Sequence, residues 1–196
     1  MSNRLPTPSQ TVGPFFHDCL LRDDARCDAI VDASGSNPAI RIVGRVVDGD
    51  GAGVPDAAIE VWQAAPSGAY TEARTRSSFA GFARIGTDES GGFSFTTVKP
   101  GRVPYDDTSL QAPHLNVAVF ARGLLNHLFT RIYFEDEPAT ATDPILGFVP
   151  AARRSTLVAR VDAGGEVASL TRTYRFDIVL QGEGETAFLD FVARRP

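Results

Sequence analysis

The stretch Val43–Tyr70, VGRVVDGDGAGVPDAAIEVWQAAPSGAY, decides the fold. It opens on the end of a β-rich run, Ala39–Val47 (AIRIVGRVV). Asp48-Gly-Asp-Gly-Ala-Gly follows, a glycine-rich turn between two strands. The second strand is Ala57–Gln63 (AAIEVWQ), where Ile59 and Val61 alternate with Glu60 and Trp62 at the period of two that a pleated sheet imposes. The same pattern recurs downstream. Ala80–Gly86 and Phe93–Val98 flank the turn at Asp88-Glu-Ser-Gly-Gly. Leu115–Ala121, Leu128–Phe134, Thr156–Val161, Tyr174–Gln181 and Thr186–Val192 complete the series. Helical periodicity is weak, and Pro144–Ala152 is the best candidate for a turn of helix. Short strands with turns between them predict an all-β fold, a β-sandwich.

Upstream the pattern is different. Residues 1–38 are irregular, broken by Pro6, Pro8 and the Gly13–Pro14 step, and then carry Phe15–Phe16. The expected organisation is an N-terminal arm over 1–38 and one sandwich domain over 39–196. The two aromatics predict that the arm docks on something. Trp62, Phe93 and Phe95 are expected in the core.

The 196 residues are 43% hydrophobic, enough for a single core, and carry a net charge of −5. An acidic chain with mixed charges argues against nucleic acid or an anionic membrane as partner. The basic pair Arg194–Arg195 is too short to be a patch. Cys19 and Cys27 read as free thiols in a reducing compartment. No apolar leader opens the chain and no apolar run approaches about 20 residues, so the expected location is the cytoplasm. Phosphate-cradling glycine motifs, a GxSxG elbow and Cys/His arrays are all missing. The histidines are His17, His114 and His127; His17 and His127 are expected at the surface or an interface.

Three stretches together resemble the intradiol dioxygenase family. They are Val43–Tyr70, Gly81–Gly101 (GFARIGTDESGGFSFTTVKPG), and Ala112–Phe120 (APHLNVAVF) with Thr130-Arg-Ile-Tyr-Phe134. Tyr174-Arg-Phe-Asp-Ile178 and Gln181-Gly-Glu-Gly-Glu-Thr186 carry the likeness onward. The resemblance implies the β-sandwich of that family. It also implies a chemistry in which two tyrosines and two histidines hold a non-haem Fe(III). Phenolates are hard anionic donors that suit ferric iron, and the metal prepares a catechol for ring opening by O₂ between its hydroxyl-bearing carbons.

Laid on that pattern, Tyr70 falls on the first tyrosine ligand and His114 on the first histidine. Val103 takes the second tyrosine's place, unless a shifted register brings in Tyr105. Asn116 stands where the second histidine of an HxH pair belongs, and Gln111 where an arginine is usual. Two of the four metal positions are thus lost, and Tyr70 and His114 are expected to be structural remnants. The resemblance therefore points to the family's two-chain members. In these an iron-bearing β chain works beside a homologous α chain that holds no metal and shapes the substrate pocket. By that resemblance the Fe(III) belongs to the partner, the substrates are protocatechuate and O₂ at the interface, and Thr11, Gly13, Pro14 and Arg131 line the pocket. Glycine lets a backbone approach a ligand closely, and proline holds it still. Arg131 sits on an apolar strand, on the face of Phe129 and Tyr133, and needs an anionic or π partner. That partner is the substrate carboxylate, a structural acid (Glu135, Asp136 or a carboxylate of the partner chain), or an aromatic ring face. The run Glu135-Asp-Glu and the tail acids Glu183 and Glu185 otherwise read as solvated. Two other readings stay open: a self-sufficient intradiol dioxygenase completed by Tyr105, and a sandwich-fold small-molecule carrier.

Overall fold

The computed structural model describes residues 8–13, 19–22, 27–30, 35–71, 79–162 and 172–190. Eleven strands run in order: β1 (Ala39–Val47), β2 (Ala58–Gln63), β3 (Phe82–Gly86), β4 (Gly92–Val98), β5 (Val103–Pro104) and β6 (Leu110–Gln111), then β7 (Leu115–Phe120), β8 (Leu128–Phe134), β9 (Val158–Val161), β10 (Arg172–Arg175) and β11 (Ile178–Val179). Between β8 and β9 lie a 3-10 turn at Pro138–Thr142, a short helix α1 (Pro144–Gly147) and a second 3-10 helix at Ala151–Leu157.

β1 pairs with β4 on one side and with β10 and β11 on the other; β10 continues to β9. The second half of the sandwich is β3-β2-β7-β8, antiparallel throughout. The halves join where β8 meets β9 through the pairs Tyr133↔Val158 and Phe134↔Ala159, giving one nearly closed nine-stranded sheet. Alternation builds its interior. Ile40 and Ile42 of β1, Phe93 and Phe95 of β4, Ile59 and Val61 of β2 and Val117 and Val119 of β7 all point inward, into one core. Gln63 locks the halves together: its amide donates to Val98 O at 2.9 Å and accepts from Thr97 Oγ1 at 2.6 Å, all buried.

The predicted β-sandwich is therefore the observed fold, with differences of detail. Tyr174–Gln181 is two strands, because Phe176–Asp177 bulges out to meet β1: Phe176 N donates to Val43 O and Arg45 N to Asp177 Oδ1. Thr156–Val161 begins inside the second 3-10 helix. Over 186–190 the tail forms no strand but single bonds along β8, such as Leu189 N to Phe129 O at 2.7 Å; residues 191 and 192 lie outside the described residues. Trp62 is not core. It is 44% exposed, because Ile59 and Val61 face inward and alternation turns Glu60 and Trp62 outward. The acidic run is not simply solvated either. Asp136 pairs with Lys99 and Arg172, and Glu137 with Lys99; in the tail, Glu185 meets Arg153.

Residues of the expected arm touch the expected sandwich domain. β1 begins at Ala39, and Cys27 and Ala29 make bridges to Arg84 and Thr96, while Ile30 is buried in the core. Cys19 and Cys27 are free thiols. Phe15, Phe16 and His17 lie outside the described residues.

Candidate functional site

The remnant ligands meet on the outer face of the β3-β2-β7-β8 half. Pairing across the strands lines up Phe82, Trp62, Asn116 and Arg131 in one row, with Arg84, Glu60, Ala118 and Phe129 in the next. Directly opposed residues of an antiparallel sheet share a face. His114, two residues before Asn116, lies against Tyr133 of β8, with ring centroids 5.9 Å apart.

Loops cover this face. Tyr70 ends the loop after β2, and its hydroxyl accepts a hydrogen bond from Asn116 Nδ2 at 2.9 Å. Its ring stacks on Trp62, 6.5 Å between centroids and 10° from parallel. Burial pushes the Tyr70 phenol above its ordinary pKa, against the pull of the Asn116 amide and the Arg131 charge. The hairpin β5–β6, not foreseen from the sequence, pairs Val103 with Gln111. Its turn is built by Asp106, which accepts from the backbone of Thr108 and Ser109. This register places Val103 and Tyr105 differently. Val103 is buried, while Tyr105 sits in the turn, 42% exposed.

His114 is 2% exposed. Its Nδ1 lies 2.7 Å from Ala112 O, and since a carbonyl only accepts, the ring proton belongs on Nδ1. Nε2 is then a bare lone pair, buried and without a partner among the described residues. Burial, with the Arg131 charge beside it, drives the His114 pKa down to about 4, so the ring is neutral near pH 7.

Arg131 is 7% exposed. Its Nη1 donates to Gln111 Oε1 at 2.8 Å and to the Tyr133 hydroxyl at 3.3 Å. Tyr133 in turn donates to Asp143 Oδ1 at 2.9 Å. Asp143 is the hub that the sequence reading missed. It caps α1 through Leu146 N at 2.8 Å and accepts from Ala112 N at 2.7 Å, just ahead of His114. The signal was present: an aspartate directly before a proline is a helix N-cap followed by its favoured first residue. Burial and the adjoining Asp143 carboxylate raise the Tyr133 phenol well beyond the ordinary range, so it stays a donor. No ion pair joins Arg131 to an acid among the described residues; its link to Asp143 runs through the Tyr133 hydroxyl. Glu135 and Asp136, the alternatives considered for Arg131, are bonded elsewhere: Glu135 to Val161 N, and Asp136 to Lys99, Arg172 and Tyr174.

The predicted pocket residues do not converge within this chain. Thr11 is exposed and its Oγ1 accepts from Gly123 N at 2.7 Å, in the turn joining β7 to β8. Gly13 is also exposed, with open space around its Cα. Pro14 lies outside the described residues. Arg131 sits at the other end of the hairpin. From Asn116 to Phe120 is about 13 Å of strand, with the turn beyond. Its guanidinium lies against Gln111 and Tyr133, under the loops of the outer face. Within this chain those two residues hold it; its expected contact with a substrate carboxylate would be made across the interface with a partner.

A ferric ion does not fit these residues. Tyr70 and His114 remain as donors, but Val103 brings an alkyl group, Asn116 turns an N–H toward Tyr70, and a buried cation stands in the same row.

A sequence profile described as dioxygenase matches residues 12–182. The chain is 43% identical to the protocatechuate 3,4-dioxygenase alpha chain of Burkholderia cepacia, over 97% of this chain and 100% of that one. It is 40% identical to the alpha chain of Pseudomonas putida, over 94% and 96%. The beta chain of Burkholderia cepacia is 30% identical, over 91% of this chain and 77% of its own length. Among solved structures, the dioxygenase domain of a carbohydrate-binding fusion protein from Streptomyces sp. SirexAA-E superposes with a TM-score of 0.61 at 27% identity, covering 93% of this chain and 99% of that one.

Proposed function

This chain belongs to the intradiol dioxygenase family, and from that membership we propose that it is the non-catalytic α subunit of a two-chain protocatechuate 3,4-dioxygenase. Its partner is a homologous β chain that carries the non-haem Fe(III). The assembly works in the cytoplasm. There protocatechuate takes up both atoms of O₂ and opens between its two hydroxyl-bearing carbons, giving 3-carboxy-cis,cis-muconate.

One observation carries this reading. Where a catalytic chain has its second histidine, this chain has Asn116, in register with the buried Arg131. A site with that pair in its middle leaves the redox chemistry to a partner. What the chain contributes is wall. Thr11, Gly13 and Pro14 are our candidates for the segment that borders the partner's substrate. The Thr11–Gly123 bond ties that segment to the β7–β8 turn, and the open space at Gly13 allows a close backbone approach. A self-sufficient enzyme completed by Tyr105 is disfavoured, because that ring lies exposed in the β5–β6 turn.

The test is expression of the chain with and without an iron-bearing β-type chain. Alone it should bind no stoichiometric iron and leave protocatechuate intact. Together they should form a red-brown complex that consumes protocatechuate and O₂ one to one. One iron per chain and ring cleavage by this chain alone would end the proposal. In the complex, Gly13→Val should raise KM for protocatechuate about tenfold without changing iron content, because a branched side chain fills the approach.

A further inference from the structure

We propose that Arg131 is a built-in cation that closes this chain's own centre to metal ions, so that restoring a histidine at position 116 does not restore a metal site while the guanidinium remains. The inference rests on the reading above and adds a physical cause to it. Loss of donors explains weak binding; the geometry points to active exclusion as well.

Two of the four donor positions are still prepared. His114 keeps its proton on Nδ1, held by Ala112 O at 2.7 Å, and its buried Nε2 lone pair has no hydrogen-bond partner among the described residues. Tyr70 still reaches the strand that carries the second histidine's position, through its 2.9 Å bond with Asn116. The opposite strand inserts Arg131 in the row of Asn116. Its side chain is buried, and its Nε–H has no partner among the described residues.

The placement is braced. Gln111 Oε1 accepts from Nη1 at 2.8 Å, while Gln111 Nε2 donates to Pro104 O at 3.1 Å, which ties the clamp to the β5–β6 hairpin. The Tyr133 hydroxyl lies between the guanidinium and Asp143. The family pattern has an arginine at the position Gln111 holds. A guanidinium therefore enters from β8 while the neutral amide stands at the hairpin, its oxygen ready to receive it. A guanidinium offers only N–H donors, so it turns protons where a metal requires lone pairs. Two cations a few ångströms apart in a partly buried site also repel each other strongly.

The experiment uses the full chain in four forms: unaltered, Asn116→His, Arg131→Met, and the double variant. Each is titrated with cobalt(II) chloride at neutral pH, followed by calorimetry and by the visible bands of cobalt in a nitrogen–oxygen site. Circular dichroism checks folding. Asn116→His should bind no more tightly than the unaltered chain. The double variant should bind one equivalent at least about a hundredfold more tightly than Asn116→His. Equal affinity of Asn116→His and the double variant overturns the proposal, as does a folded double variant no better than Asn116→His. If Arg131→Met fails to fold, Arg131→Gln, neutral and still able to donate to Gln111, carries the same comparison. Stoichiometric iron in the unaltered chain would instead remove the functional reading beneath. The contrast between the single and double variants isolates the guanidinium.

Discussion

Asp143 shows how one residue can hold a site that has no chemistry of its own. Three buried donors converge on its carboxylate: Ala112 N, Leu146 N and the Tyr133 hydroxyl. Asp143→Ala leaves all three unpaired, and should cost about 3–5 kcal/mol in urea unfolding; Asp143→Asn should cost distinctly less. His114 supplies a second prediction. Its folded pKa of about 4 lies below the ordinary histidine value of about 6.5. Between those values the unfolded chain binds a proton that the folded chain refuses, so stability rises with pH across that window and falls on acidification. The unaltered chain should lose about 2 kcal/mol more than His114→Gln between pH 7 and pH 4.5 in matched denaturant titrations. Tyr70, Val103, His114 and Asn116 were singled out in the sequence because they stand in or beside the motifs that carry the family resemblance. The seat of Arg131 against Gln111 and Tyr133 was not legible there, since alternation chooses a face but not what waits there.

At the scale of elements, the site depends on loops that lie backbone against backbone. Gly68 has φ +85°, and a Cβ there would come 2.1 Å from Arg102 O. Gly101 N donates to Ala65 O at 3.0 Å, binding the same two loops together. This contact sets the end of the loop that carries Tyr70. Gly68→Ala should therefore cost about 3 kcal/mol or more and disturb the Tyr70–Trp62 stack. Trp62 is the sole tryptophan, so its emission reports the change directly; an unshifted spectrum would show that the loop does not hold Tyr70. β1, β2, β4, β7 and β8 were legible because long alternating runs with clear turns dominate them. β5 and β6 were not: two-residue strands exist only because the Asp106 turn closes them and Gln111 has a partner on β8. Trp62 was misjudged for a related reason. Its size suggests a core residue, while its parity on β2 puts it outside.

At the scale of the whole molecule, an exposed apolar face stands at the end of α1 among the described residues. Phe148 is 76% exposed at the end of α1, beside a groove lined by Ile145, Val149, Pro150, Ala187 and Leu189. With the partner chain present this face is expected to be covered. Phe148→Ser should make the isolated chain more soluble and weaken its assembly with the β-type chain, as read by analytical ultracentrifugation. Unchanged assembly would place the interface elsewhere. No helix among the described residues is long and apolar enough to cross a membrane.

By itself the sequence pointed to the sandwich, through its period of two and its turns, and to the family, through the motifs that resemble it. Both are written locally along the chain. Only the tertiary structure decided that Arg131 lies opposite Asn116, braced by Gln111 and, through Tyr133, by Asp143. Strand pairing brings those four together from separate segments, and no local pattern records which side chain will fill the space another has vacated.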